Sequence, residues 1–526
     1  MLRFLCHLRR PQLKTKTRKN NTLDNTDSSS LILVLDVGSS SVRAALYDAA
    51  AKRLDETFVK NERQLTVTED GGAEIDADRA LSQVVEAIDA VLKKAGDKAA
   101  NIKFVAASCF WHSLVGVDAE GNALTPVYGW ADMRSAQYVK TLQENFDETA
   151  VHNRTGARFH PSYWTAKLLW LKTEKAEIFQ RVNKWLSFAD FLALRFFGEA
   201  VTSASQASGT GIFDIRRCEW DTELINFLEI KPEHLPRIAA DNETFQQKPS
   251  SAENHQGLAE AKWFLAIGDG AANNVGASCV TKNRAALMIG TSGAMRVVYA
   301  GDPPEEIPAG LWCYRLDRTR IIIGGALSDG GGLYGWLRKN LRLDSCTDDE
   351  IENIIARNAP DSHGLTFLPF LAGERSTNWN ADARGAVLGL HSATTAVEIV
   401  QAALESVAYR FAAIFEQLNR NCPLETVIAS GGALRESPVW TQIIADALNQ
   451  TLTLPDEHEA SSRGAALFAL EQAGIIRDIA TVPMETGESF APDAAKHEIY
   501  NRARARQEKL YELIVLAEPS LSRQGQ

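Results

Sequence analysis

Little in this chain of 526 residues marks it as secreted, membrane-bound or metal-clustered. Its seven cysteines are odd in number and scattered, with no Cys-x-x-Cys pair. That pattern provides neither a disulfide framework nor a metal site, and it fits reduced thiols in a cytoplasmic protein. No apolar run approaches the roughly 20 residues that cross a bilayer, so no membrane association is expected. A positive balance is also missing. The formal net charge of -11 argues against a nucleic-acid binder. No short-period repeat is visible.

The first 30 residues differ from the rest. Arg3, Arg9, Arg10, Lys14, Lys16, Arg18 and Lys19 are basic, against only Asp24 and Asp27. An acid-poor, Arg-containing start is read as a disordered tail or an early start codon, with an organelle transit peptide as the alternative. It lacks the apolar core of a secretory signal.

What is present is a pair of Gly/Ser turns. Near the start, an apolar strand runs from Leu31 into Asp36 and Gly38, turns through Ser39, Ser40 and Ser41, and returns past Arg43 to Asp48. Far downstream, Ala286 to Ile289 leads into Gly290-Thr291-Ser292-Gly293 and a second apolar strand to Tyr299. Each turn alone is ordinary hairpin chemistry. Paired, one in each half, they suggest a clamp on a polyphosphate, because amides and hydroxyls in such turns cradle anionic oxygens. The repeat is therefore domain-sized, each half opening on a hairpin of this kind.

Around these turns the pattern is α/β. Residues 31–280 form one expected domain and 281–518 a second. In the first, the spacing predicts a third strand near Arg53 to Asn61, a helix from Asp78 to Ala95, a strand from Ile102 to Ser108, and helices over Ser162 to Lys172 and Ser187 to Phe197. In the second it predicts a strand after Asn283 and a helix from Gly331 to Leu341. Thr395 and Glu398 form a capping box for a long helix. A strand from Thr426 to Ala429 then reaches the Gly431–Gly432 turn. Ser437 and Pro438 cap the next helix, and a charged helix runs from Asp493 to Ala517.

Two acids stand where chemistry is expected. Asp36 ends a strand beside the first turn, where a carboxylate either holds Mg²⁺ or bonds its own turn. Asp269 is bracketed by Gly268 and Gly270 before a run of small residues. It is either a helix N-cap or a general base taking a proton from a substrate hydroxyl. A third cluster follows the strand at Ile102. Trp111 and Trp130 offer flat faces to a sugar, and His112, Asp132 and Arg134 offer donors and acceptors, unless they are simply core residues.

Together these segments resemble the FGGY carbohydrate kinases of the actin/hexokinase/Hsp70 superfamily, from Leu31 to about Tyr511. Asp36 to Arg43 is similar to the family's first phosphate motif, and Gly290 to Gly293 to its second. Gly268-Asp269-Gly270 is similar to the segment of the catalytic base. Phe370 to Arg375 with Trp379 resembles a stretch of the second domain. Ser430 to Ala433, with Trp440, Gln442 and Asp446, resembles the nucleotide segment. Within the family, Trp111 to Asp118, Trp130 to Ser135, Thr155-Gly156, His160-Pro161 and Lys167 to Leu171 are similar to the gluconate kinases. Ser203, Asp329 and Thr377 depart from the usual pattern.

The resemblance implies an α/β, two-domain actin-like (ribonuclease H-like) ATPase fold with the active site in the interdomain cleft. It implies ATP and Mg²⁺, with Asp36 at the metal and Asp269 as base. Gly38, Ser39, Ser40, Ser41, Arg43, Gly290, Thr291, Ser292, Gly293, Gly331, Gly431, Gly432 and Ala433 would hold the nucleotide. Trp111, His112, Trp130, Asp132, Arg134, Lys167 and Asp269 would hold the sugar, with Arg134, Lys167 or His112 reading a carboxylate. The substrate implied is a small sugar or sugar acid, foremost D-gluconate, and a homodimer is open. Rival readings are a kinase for xylulose or another polyol, an actin- or Hsp70-like ATP-driven assembly protein, and a non-catalytic sugar sensor.

Overall fold

Long uninterrupted runs of Leu, Ile, Val and Ala suit strands covered on both faces, and they build two sheets of one design in this computed structural model. It describes residues 30–249, 255–457, 459–484 and 486–516. The basic stretch 1–29 and Ala517, the expected end of the last helix, lie outside the described residues.

The first seven-stranded sheet comprises β1 (Leu31–Val37), β2 (Ser41–Tyr47), β3 (Val59–Glu62), β4 (Ile102–Cys109), β5 (Thr244–Phe245), β6 (Lys262–Phe264) and β7 (Ile267–Gly268). Its order is β5-β6-β4-β1-β2-β3, with β7 paired to β4. The second comprises β8 (Arg284–Ile289), β9 (Gly293–Ala300), β10 (Trp312–Arg315), β11 (Arg320–Leu327), β12 (Thr426–Ser430), β13 (Leu452–Pro455) and β14 (Thr486–Phe490), in the order β10-β11-β9-β8-β12-β13-β14. The designs match over six strands, with β10 at one edge of the second sheet and β7 beside β4 in the first left without counterparts. β1 and β8 are each antiparallel to the next strand across the Gly/Ser turn. Each is parallel to its neighbour on the other side, β4 or β12.

Nine helices concern the argument: α1 (Ala77–Ala95), α2 (Trp164–Glu174), α3 (Phe188–Phe197), α4 (Asp269–Gly276), α5 (Gly331–Asn340), α6 (Ala396–Asn421), α7 (Pro438–Leu448), α8 (Ala460–Gln472) and α9 (Ala494–Tyr511). Local signals set most of their ends. Ser187 closes a capping box with Asp190, and Thr395 with Glu398. Gly198 ends α3 at φ 77°, and Ser437 caps α7 ahead of Pro438. On α6, Ala403, Val407, Phe411 and Ile414 are buried as the stripe predicts, while Ile399 is half-buried.

Several boundaries differ from expectation. The third strand is shorter, because Asp55–Thr57 coils into a 3-10 turn. α1 starts one residue early, on the Asp76 cap. α2 starts at Trp164 because the Ser162 hydroxyl is held in the loop, donating to the Trp130 carbonyl at 2.7 Å. α9 begins after Asp493, whose side chain caps it.

Helices α4 and α8 lie between the sheets. α8, from the second half of the chain, packs on β1 and β4 of the first sheet, and α4 packs on β9 of the second. They cross backbone to backbone. A Cβ on Gly276 would stand 1.8 Å from the Ala460 carbonyl oxygen, and one on Gly464 would stand 1.8 Å from that of Ala272. One apolar core fills this middle layer and two larger ones lie within the halves. The result is the two-domain actin-like architecture, with a cleft between like halves.

Candidate active site

The first sheet brings two acids to one end. β1 and β4 are parallel, with Asp36 opposite Ser108. β7 pairs in parallel with β4, with Ile267 opposite Ser108 and Gly268 opposite Cys109. Asp36 and Asp269 therefore share the carboxyl ends of parallel strands, where ligands bind in open α/β sheets.

Asp36 is 3% exposed. Its carboxylate accepts from Arg43 Nη1 at 3.0 Å and from Ser108 Oγ at 2.5 Å. These bonds run across strands, not to its own turn, which removes the turn-bonding alternative. Arg43 also stands 3.5 Å from Glu459. Asp269 is the first residue of α4, and Gly268 takes the cap position without a side chain to bond. The N-cap alternative for Asp269 is therefore corrected. Its carboxylate accepts from the Gly270 amide at 2.8 Å and from the backbone amide of Trp111. Burial raises its pKa above the usual carboxylate range and the Asp36 charge adds to this, while Arg296 and the Gly270 amide pull the other way.

Glycines on either side of Asp269 are required by Trp111. A Cβ on Gly268 would sit 1.8 Å from the indole, and one on Gly270 would sit 2.7 Å from it. The Trp111 indole N–H donates to the Ser205 carbonyl at 2.9 Å. Trp111 thus braces the Asp269 segment, and the ring face expected for a sugar is largely covered. His112 Nδ1 lies 2.5 Å from the Gly209 carbonyl, so that nitrogen carries the proton. Nε2 then faces Arg375 Nη2 at 3.4 Å as an acceptor. Burial holds His112 neutral, far below its usual pKa.

Three expected sugar residues are corrected. Arg134 donates to Asp132 and to Glu74, with Nη2 at 2.5 Å and 2.8 Å from their oxygens, and its charge is spent there. Asp132 also accepts from the Ala73 amide at 3.1 Å. Lys167 is 0% exposed, donates to the carbonyls of Pro161 and Ser162, and is pushed down to about 7 by burial. None of the three is free to meet a ligand. Trp130 stays open. With His160, Ser162, Arg375 and Arg384 it lines a cavity of about 460 Å³.

Across the cleft, Gly290 and Thr291 line a second cavity of about 390 Å³ with Gly331, Gly432, Ala433 and Trp440. Here backbone meets backbone. A Cβ on Gly331 would lie 2.7 Å from the Gly290 carbonyl oxygen. Gly431, at φ +100°, would place a Cβ 2.2 Å from that of Ile289. A concave, small-residue cavity of this size fits a nucleotide. The Asp36 carboxylate is a hard oxygen donor of the kind that suits Mg²⁺. Elsewhere among the described residues, Asp361, His363 and Glu405 also cluster at metal-ligating distance. There, however, Glu405 is bonded by His363, Gln401 and Tyr409, and Asp361 by Arg506.

Two residues escaped the sequence reading as site residues. Arg296, on β9, is 8% exposed, with Nε and Nη1 unpartnered. Arg375 is 9% exposed, with Nε unpartnered. A buried donor without an acceptor costs about 1–3 kcal/mol, so neither arrangement serves stability. The available signal was a charge inside the otherwise apolar strand Gly293–Ala300.

Comparison with known proteins agrees with this geometry. The N-terminal domain of the FGGY family of carbohydrate kinases matches residues 31–276, and the C-terminal domain matches 285–473. A gluconokinase of Bacillus subtilis (strain 168) is 29% identical over 474 residues, covering 88% of this chain and 91% of that protein. The crystal structure of gluconate kinase from Lactobacillus acidophilus superposes with a TM-score of 0.84 at 27% identity, covering 92% of this chain and 98% of that one. Ligand-bound xylulose kinase from the same organism gives 0.85 at 26%, covering 93% and 99%. No helix among the described residues is long and apolar enough to cross a membrane. With both domains matched in order, the chain belongs to the FGGY family of carbohydrate kinases, which phosphorylate a sugar or sugar acid.

Proposed function

We propose that this chain transfers the terminal phosphoryl group of ATP to the terminal hydroxyl of D-gluconate, giving 6-phosphogluconate. One observation carries the chemistry. Asp269, its pKa raised, stands at the strand ends with backbone amides of Gly270 and Trp111 as its hydrogen-bond donors and no side-chain ion pair, an arrangement that suits a general base. The choice of gluconate is supported by the gluconokinase relative, which spans most of the chain.

In this reading Asp269 accepts the proton of the attacking hydroxyl and orients its oxygen for in-line displacement. Gly38, Ser39, Ser40 and Ser41 present the first turn to the phosphates, and Arg43 holds Asp36 in place. Gly290 to Gly293 present the second turn. Gly331, Gly431, Gly432 and Ala433 leave room for the nucleotide. Bound Mg²⁺, held at Asp36, would draw charge from the phosphate oxygens. Trp130 and His112 line the sugar side. Burial between the halves excludes water that would otherwise compete with the hydroxyl.

The likeness to xylulose kinase supports a second reading, with a ketose as acceptor. A panel of D-gluconate, D-xylulose and glycerol with ATP and Mg²⁺ decides between them. The expected result is the highest kcat/KM for gluconate. A higher value for xylulose would replace the first reading with the second. Equal ATP turnover with no acceptor present would sink both.

A further inference from the structure

Arg296 and Arg375 both come from the second half of the chain, and both approach first-half residues, Arg296 at Gly270 and Arg375 at His112. A Cβ on Gly270, the residue after the proposed base, would lie 2.9 Å from Arg296 Nε. Arg375 lies beyond it, against His112 Nε2 at 3.4 Å and over the Trp130 ring at 5.8 Å, at the wall of the 460 Å³ cavity. It also bonds the Tyr163 hydroxyl. No carboxylate forms an ion pair with either guanidinium among the described residues, whereas Arg134, the more obvious candidate, is doubly paired. Asp269 is the acid that faces Arg296, without forming an ion pair with it; two buried like charges with three N–H-bearing nitrogens still unpartnered are arranged for a further anion. Burial lowers the pKa of Arg296 to about 10, with the Asp269 charge opposing the shift and the Arg375 charge adding to it, so Arg296 is charged at neutral pH.

We propose that Arg296 and Arg375 together form the site that recognises the carboxylate of an acidic sugar. This deepens the gluconate reading and rests on it. The two arginines stand opposite Trp130 and Asp269 of the first half, so the substrate's charge bridges the halves while its terminal hydroxyl meets the base. An aldonate satisfies both arginines. A neutral polyol of the same length leaves the N–H groups unpaired, which is how a polar site rejects an analogue.

The test uses the full chain with saturating ATP and Mg²⁺, comparing D-gluconate with D-glucitol, which carries a CH₂OH group in place of the carboxylate. In Arg296→Met and in Arg375→Met, the ratio of kcat/KM for gluconate to that for glucitol should fall about 100-fold, chiefly through KM for gluconate. Arg375→Lys should recover part of the loss, because it keeps the charge without the fork. Gluconate should raise the Tm of the wild-type protein and fail to raise that of the Met variants. This readout is independent of turnover. Should a Met variant not fold, Arg→Gln at the same position carries the comparison. Either arginine variant keeping the wild-type ratio overturns the paired site and leaves the gluconate reading standing. A loss seen instead in KM for ATP, equal for both acceptors, assigns the pair to phosphate and overturns it too. A wild-type preference for glucitol removes the gluconate reading itself, and the carboxylate site with it.

Discussion

The two halves share a sheet design and differ at the same point of it. In the first, the strand before the Gly/Ser turn carries Asp36, paired directly across the hairpin with Arg43. In the second, the corresponding pair is Met288 and Ala294. At this pair one hairpin carries opposite charges and the other apolar side chains beside a cavity, with the charge of β9 displaced to Arg296. The same scaffold thus divides its residues. The two acids at the strand ends come from the first half, and the small-residue cavity and the two buried arginines from the second. Sites of both kinds sit at strand ends, where sheet geometry leaves room without disturbing the core.

Variants can separate the two roles. Asp269→Asn should cause the largest loss, about 10³-fold in kcat, with an unchanged circular dichroism spectrum. Near wild-type turnover in a coupled assay would remove Asp269 as base. Asp36→Asn should lower kcat by about 100-fold, the order seen when charge stabilisation is lost, and raise the Mg²⁺ concentration needed for half-maximal rate. An unaltered Mg²⁺ dependence would detach Asp36 from the metal. On the other side, Ala433→Leu should raise KM for ATP about tenfold, since overfilling a packed site costs about 1–3 kcal/mol, and it should move KM for the sugar less. An effect confined to the sugar would contradict the division.

The smallest effect is on pH. Asp269 must be ionised to act, and burial with the nearby Asp36 charge raises its pKa. The acid limb of kcat/KM should therefore lie above the ordinary carboxylate range. Asp36→Asn removes a negative charge that favoured the protonated form, so its acid limb should move to lower pH. A limb that stays or rises in the pH–rate profile would show that the two carboxylates are not coupled.

Features written within a few residues were legible in the sequence. Both hairpins and the Thr395 and Ser437 caps depend on local chemistry. Asp269 was legible through its flanking glycines, though the reason for them, the Trp111 ring, comes from far along the chain. Other features depend on encounters that no local pattern encodes. Arg134 meets Glu74 from 60 residues away, which turns an apparent substrate ligand into a structural ion pair. Lys167, a candidate for reading a substrate carboxylate, is enclosed and bonded to two carbonyls of the loop before its helix. The matching of the two sheets was visible only as two similar turns, because strand pairing follows apolarity and register, not residue identity.

The crossing of Gly276 over Gly464 has a consequence for sequence change. At each position an added Cβ would lie 1.8 Å from a carbonyl oxygen of the opposing helix, closer than any side chain can be accommodated. By contrast, Gly335 has no atom within 4 Å of where its Cβ would be and should accept almost any residue. A saturation scan should therefore find two of its least tolerant positions at this crossing, neither of them among the residues placed at the substrates. Because each glycine answers to backbone from the other half, a chimera that exchanges halves between relatives has to inherit both together.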